Sequence, residues 1–458
     1  MWEAIASNRR RTRIIVAGMG LLLVLMGAVI GNAVVPRSGL AGGIAIALAV
    51  WCILWMVAVF QGDSIMLSIA GAQKIEHADA PQLFNVVEEM VIASGLGRMP
   101  EIYLIPDDRP NAFAAGRKPE TRVVCVTSGL LRLMNRDELQ GVIAHEIGHH
   151  KNGDPALMIL MGVMMGAIVL LAELFLRSGF TGGRRSSRDK DDSGGLQILL
   201  VVLAIVLAIL APILAQMMYF ACSRRREFLA DASAARFTRY PEGLASALEK
   251  ITVSVHESGM ARKVNKVLAP MYIINPMEAL AAVGLFSTHP PTENRVRILR
   301  SMGGGVGYVD YDAAFRKITG RQGCIGQRTL AEDKPDQARA ASPQIAETRE
   351  ETVTRSREVG NLVGRLDGLT ILQCPCGVGI KIPPGATWPS IPCPRCGRDN
   401  VVPKAQAAAQ PDQPARFKRQ GKGWESFQCS CGASINLSPA FSAAAKTCDR
   451  CGRTIEIS

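Results

Sequence analysis

The sequence predicts a mainly α-helical membrane protein with one small β-sheet and two small cysteine-rich modules at the C-terminal end. Three observations predict it. Four apolar runs are long enough to cross a bilayer, two short β-rich runs lie between the second and third of them, and eight of the twelve cysteines fall in a repeated pattern in the last fifth of the chain. A chain of 458 residues has room for two or three domains. With 48% hydrophobic residues and long polar stretches, the apolar ones must be concentrated. The net charge of +12 reads as basic loops and tails beside an anionic leaflet. Nucleic-acid binding is not favoured, because the basic residues are scattered rather than gathered into one stripe.

Arg9, Arg10, Arg11 and Arg13 precede an apolar run from Ile14 to Val35. At about 22 residues the run is long for the core of a cleaved signal and right for a span. Leu40 to Phe60 follows after a short turn containing Pro36 and Gly39, so residues 1–60 read as a transmembrane hairpin with both ends in the cytoplasm. Residues 61–154 read as a soluble α/β segment: a helix over Pro81 to Ser94, β-rich runs over Glu101 to Ile105 and Thr121 to Val126, and a helix from Asn135 to His150, capped by Asn135 with Glu138 three residues on. Two further apolar runs, 155–176 and 196–220, flank a loop carrying Arg177, Arg184, Arg185, Arg188 and Lys190. If both span, that loop lies outside, against the positive-inside tendency, although Asp189, Asp191 and Asp192 offset part of the charge. Spanning is the favoured reading; an interfacial pair is the alternative. The catalytic region is bounded at 61–303, with 304–367 as a linker, within which Gln322 to Arg357 is polar, charged and poor in aromatics, with room for one solvated helix.

The densest chemistry is His145-Glu146-Ile147-Gly148-His149. Residues four apart share a helix face, so both imidazoles can reach one zinc ion while Glu146 stands beside them as a proton acceptor. A buried helix with structurally satisfied histidines is the bland alternative. His150 reads as structural, off the metal-facing side. A catalytic zinc takes three protein ligands and keeps one open position. Glu227 is a candidate third ligand, with Asp231 one turn on to fix the tautomer of a ligand histidine. On spacing alone, a solvated carboxylate beside Arg224, Arg225 and Arg226 explains Glu227 equally well.

Four pieces in order resemble the HtpX-type and CAAX prenyl protease family of membrane zinc metallopeptidases. They are Asn111-Ala112-Phe113-Ala114 with Gly116; the zinc helix extended to Asn152 and Asp154; Glu227 with Ala230 and Asp231; and Ser287-Thr288-His289-Pro290-Pro291-Thr292-Glu293-Asn294-Arg295. The resemblance spans roughly residues 60 to 300. It implies a gluzincin-like domain in which His145, His149 and Glu227 hold zinc and Glu146 is the general base. It also implies that Asn111, Ala112, Phe113 and Ala114 form an edge pairing with substrate backbone. His289 would donate to the oxyanion and Arg295 would order the region. Without the family, His289 reads as a turn residue before two prolines. The implied protein is a multi-pass protease of the cell's inner membrane with its site facing the cytoplasm, acting on membrane or misfolded proteins. A prenyl-protein protease and a catalytically silent scaffold are the alternatives.

The tail departs from that pattern. Cys374-Pro375-Cys376 and Cys393-Pro394-Arg395-Cys396 recur as Cys429-Ser430-Cys431 and Cys448-Asp449-Arg450-Cys451. Four thiolates on two turns suit a closed structural zinc site, with disulfides or redox cysteines as the alternative. The expectation is two zinc ribbons, 368–403 and 424–458, joined by an Ala/Gln/Pro-rich linker over 404–423. The zinc count would then be one catalytic and two structural ions. A closed four-cysteine site has no position for catalysis, so recruitment of a protein partner is its expected use.

Overall fold

The computed structural model describes residues 2–34, 39–179, 194–257, 273–274, 290–334, 336–340, 347–386, 388–402, 415–417, 419, 425–429, 434–437, 443–448 and 454–457. They form two compact units, Met1–Asp367 and Gly368–Ser458.

The apolar runs become helices α1 (Trp2–Val34) and α2 (Gly39–Ala70) before the soluble segment, and α6 (Asp154–Gly179) and α7 (Gly194–Thr238) after the zinc helix. All four are long and apolar enough to cross a membrane. They pack on one another around a shared core that includes Met19, Leu23, Met26, Ala47, Met164, Ile168 and, along α7, Ala204, Ala208, Ala211 and Ala215. The bulky side chains of α7, among them Ile209, Leu210 and Ile213, point outward. Small residues inside and large aliphatic ones outside is the arrangement expected where the surroundings are lipid, since helix association there depends on close approach rather than on escape from water. The α1–α2 contact is the tightest example: a Cβ on Gly43 would fall 1.9 Å from the Gly27 carbonyl oxygen.

The soluble segment supplies β1 (Gln73–Lys74), α3 (Pro81–Ser94), β2 (Glu101–Ile105), β3 (Ala112–Ala115), β4 (Val123–Thr127), α4 (Ser128–Leu133) and α5 (Arg136–Asn152). The strands lie in the order β1-β2-β4-β3, with β2 and β4 parallel and β3 antiparallel to β4. Val123–Thr127 is buried throughout, as its unbroken β-rich sequence requires of a strand covered on both faces. Helix α5 starts where the sequence places it. The Asn135 side chain accepts from the Glu138 amide at 2.9 Å, and the Glu138 carboxylate accepts from the Asn135 amide at 3.0 Å. Helix α8 (Pro241–Glu257) buries Leu244, Leu248, Ile251 and Val255, a spacing of three to four that presents one face to α5.

The stretch 304–367, expected as a linker, instead carries α10 (Tyr308–Thr319), α11 (Gln327–Ala331) and α12 (Arg349–Leu366), following α9 (Thr292–Arg300). Tyr308, Tyr311, Phe315, Val359 and Leu362 join the same core as α5 and α8. The polar, charged composition of 322–357 set the linker reading, whereas a few large residues at helical spacing on either side of it are enough to anchor polar helices on one face. The second unit holds β5 (Thr370–Gln373) paired with β6 (Gly379–Ile382), and β7 (Ser390–Pro392) paired with β8 (Asp399–Val401). Further short strands lie between Ala415 and Ile457.

Candidate metal and catalytic site

Helix α5 is packed by α3, α7, α8 and β3. Burial extends to polar residues that a surface helix would expose: His145 and Glu146 are 0% and 2% exposed. Gly148 sets the approach of α7. A Cβ there would meet the Ala230 carbonyl oxygen at 3.2 Å and the Ser233 Cβ at 3.2 Å, so a larger side chain would push α7 away. With glycine in place, Glu227 is brought over the face carrying the two histidines.

The result is a three-donor cluster. His145 Nε2 lies 3.1 Å from His149 Nε2 and 3.5 Å from Glu227 Oε2, while His149 Nε2 is 3.3 Å from Glu227 Oε1. One ligand atom from each of the three residues falls within 4.8 Å of the others. The opposite ring nitrogens are both braced by carboxylates: His145 Nδ1 stands 2.9 Å from Asp231 Oδ1, and His149 Nδ1 stands 2.9 Å from Asp154 Oδ2. An Nδ1–H that donates to a carboxylate leaves the Nε2 lone pair free to coordinate. Two such lone pairs aimed at one point beside a carboxylate fit a divalent cation and little else. The His2Glu donor set is that of an open catalytic zinc site. His149 is the more accessible histidine, its side chain 15% exposed.

Behind Asp231 stands Arg295, fully buried, whose Nε and Nη2 donate to the two carboxylate oxygens at 2.8 and 2.7 Å. Its Nη1 donates to the Ile273 carbonyl at 3.0 Å. Asn111 reaches the same segment: its Oδ1 accepts from the Ile273 amide at 3.0 Å and its Nδ2 donates to the Ile274 carbonyl at 3.1 Å. Asn111 therefore clamps a neighbouring segment onto the sheet edge, and Ala112–Ala115 forms the edge strand itself. In the antiparallel ladder the Asn111 carbonyl faces β4, accepting from Thr127, so Ala112 and Ala114 turn their backbone groups the other way.

Glu146 lies next to the cluster. Burial pushes its carboxyl above the ordinary carboxylate range, and His145 and His149 pull it partly back. His150 takes no part in the cluster. Its Nε2–H donates to the Val123 carbonyl at 3.0 Å, and burial pushes its pKa down to about 3. His289 lies outside the described residues.

Two contributors carried no role from the sequence. Asp154 had stood only as part of the motif, although a carboxylate five residues past His149 at a helix break is a detectable signal. Arg226 enters the sequence reading only as a basic neighbour of Glu227. It is 1% exposed, and Nη1 donates to the Asp154 carbonyl at 3.2 Å.

In the tail, Cys374, Cys376, Cys393 and Cys396 converge, again within 4.8 Å of one another. The Cys374–Cys396 and Cys376–Cys393 sulfur pairs are 3.6 and 3.5 Å apart. A disulfide requires about 2.0 Å, whereas a tetrahedron of Zn–S bonds of about 2.3 Å places sulfurs about 3.8 Å apart. Main-chain N–H groups of Cys396 and Arg395 hold the Cys393 thiol down at about 6, favouring the thiolate. In the second copy Cys429 and Cys448 are buried in one small cluster, while Cys431 and Cys451 lie outside the described residues.

The profile of Peptidase family M48 matches residues 77–303. The chain is 45% identical over 304 residues to a protease HtpX homolog of Dictyoglomus turgidum, covering 66% of this chain and 95% of that protein. It is 38% identical over 302 residues to a protease HtpX homolog of Streptococcus gordonii, covering 66% of this chain and all of the other. Among solved structures, S. mikatae Ste24p aligns with 65% of this chain and 66% of its own at 18% identity, with a TM-score of 0.33, a likeness too slight to bear on the fold.

Proposed function

Because this chain belongs to peptidase family M48, alongside the HtpX proteases, and is a membrane zinc metalloprotease, we propose that its catalytic centre is the His145–His149–Glu227 cluster, with Glu146 as general base. The observation that carries the assignment is the convergence of both Nε2 atoms and the Glu227 carboxylate on one point while both Nδ1 atoms are held by carboxylates.

Bound there, zinc would polarise the scissile carbonyl and acidify the attacking water. Glu146 accepts the proton from that water and returns it to the leaving amine. Burial pushes its carboxyl upward, which favours the return of the proton to the leaving amine. Asp231 and Asp154 hold the imidazoles in the tautomer and orientation that ligation needs. The substrate is taken as an extended strand along β3, where Ala112 and Ala114 turn backbone groups away from the sheet; for Ala112 the Ile273 amide already uses the carbonyl, so Ala114 is the proposed pairing position. His289 is assigned to the oxyanion.

The four apolar helices are assigned as spans, with the catalytic centre on the cytoplasmic side of the inner membrane. The basic start of the chain supports this orientation. Substrates are membrane or misfolded proteins, whose exposed backbone can add to a sheet edge. The tail is assigned two structural zinc ions and a role in recruiting protein.

The test is hydrolysis of an unfolded membrane protein by the detergent-purified full chain. Wild type cleaves it, and Glu146→Gln does not, while zinc content is unchanged. Cleavage by Glu146→Gln at the wild-type rate would remove Glu146 from the mechanism.

A further inference from the structure

The two histidines of the cluster are braced in parallel, but by different elements. His145 is held by Asp231, and Asp231 by the fork of Arg295. His149 is held by Asp154, and Asp154 by Arg226, whose Nη1 donates to its carbonyl at 3.2 Å and whose Nε stands 3.6 Å from Oδ1. Arg226 then does something Arg295 does not. Its Nη2 donates at 2.5 Å to the hydroxyl of Thr12, a fully buried residue of the first apolar helix.

We propose that Arg226 is a positioning residue for the metal ligand His149, acting through Asp154, and that through Thr12 it ties that ligand to the first membrane helix. The proposal rests on the metal-centre reading above. Arg226, Asp154 and Thr12 are each no more than 2% exposed, so a guanidinium here has left water and is retained only with its partners in place. Asp154 is also the first residue of α6, where the chain turns out of the zinc helix after Gly153. The hydrogen bond to its main chain, with the guanidinium charge 3.6 Å from Oδ1, fixes the direction from which His149 Nδ1 is gripped. Arg226 immediately precedes Glu227, so one side chain also sets how α7 lies against the end of α5. Movement of α1 at Thr12 is thereby transmitted to two of the three ligands, and the membrane hairpin becomes part of the metal centre's support.

Zinc release from the full-length, detergent-solubilised protein into a competing chelator reads this directly, without recourse to activity. The active-site ion is the one that His145→Ala lacks. Outer residues that orient metal ligands are worth about 10–100-fold in metal affinity, and Arg226→Met is expected to accelerate release of that ion by about this much, with Arg226→Lys recovering part of the loss. In an Asp154→Asn background, Arg226→Met should add less than about twofold, because two changes acting through one contact are not additive. Thr12→Val, which removes one hydroxyl, should speed release by about threefold, the scale of one hydrogen bond worth about 0.5–1 kcal/mol, and it carries the test alone if Arg226→Met does not fold. Wild-type release from Arg226→Met, or an undiminished effect in the Asp154→Asn background, overturns the positioning role. Wild-type release from Thr12→Val overturns the link to the helix. If His145→Ala loses no zinc, the metal-centre reading itself has failed.

Discussion

The protein gathers metal-ligand side chains twice, by opposite means. In the protease unit, two imidazoles and a carboxylate come from α5 and α7, deep in a core to which α3, α8, α9, α10 and the sheet contribute. In the tail, four thiols come from two tight turns between short strands, and the described core of the first ribbon is Cys374, Ile380 and Cys393 with a few partly buried neighbours. Where a large core exists, the fold is paid for by packing, and the metal position can be left with an open side for substrate. Where the core is a handful of side chains, the ligands close around the metal position, and a metal bound there would supply most of the folding free energy. The donor types follow the same division. Braced imidazoles would leave a bound zinc acidic enough to activate water, whereas four thiolates would saturate it.

The sharpest way to break this comparison is at Glu146. Loss of a general base costs about 10²–10⁴-fold in rate. Glu146→Gln is expected to fall in that range in a peptide-hydrolysis assay, with tail zinc untouched; a loss of zinc from either centre would mean the substitution acts on structure. Metal removal comes next. Dialysis against a strong chelator should abolish hydrolysis and collapse β5 to β8 in hydrogen-exchange profiles, while α5 and α8 stay protected. Equal loss of protection in both units would contradict the division between packed and metal-dependent folding. Asp231→Asn should weaken the active-site zinc by about 10–100-fold, seen by chelator competition, and leave the tail ion's affinity unchanged. The smallest effect is on packing. Gly148→Val drives a side chain into the Ala230 and Ser233 contact, and overpacking costs about 1–3 kcal/mol. A lowered thermal midpoint with zinc still bound is expected, and an unchanged midpoint would mean α7 can shift freely.

Much of the site was legible because its spacing is local. Two histidines one turn apart share a face whatever surrounds them, and Asn135 with Glu138 marks the start of their helix from sequence alone. Glu227 was not legible in that sense: its role depends on how α7 crosses α5, which Gly148 and Ala230 decide in three dimensions. The resemblance to membrane metallopeptidases supplied what spacing could not. Arg226 and Asp154 were missed for the same reason, since an arginine in a basic triplet and an acid at a helix break look like surface residues until their burial is known. The helices of 304–367 were missed although Tyr308, Tyr311 and Phe315, and again Val359 and Leu362, stand at helical spacing, because the polar stretch between the two groups outweighed each sparse apolar face. The convergence of Cys374, Cys376, Cys393 and Cys396, by contrast, was legible from spacing alone, as cysteine spacing encodes geometry directly.

Zinc-edge anomalous diffraction from crystals of the full-length protein tests the central claim most directly. The account predicts a peak about 2.0–2.2 Å from His145 Nε2, His149 Nε2 and a Glu227 carboxylate oxygen, beside a second peak inside the Cys374–Cys376–Cys393–Cys396 cluster. Zinc at the cysteines with none between the histidines, in protein that hydrolyses peptide, would contradict it.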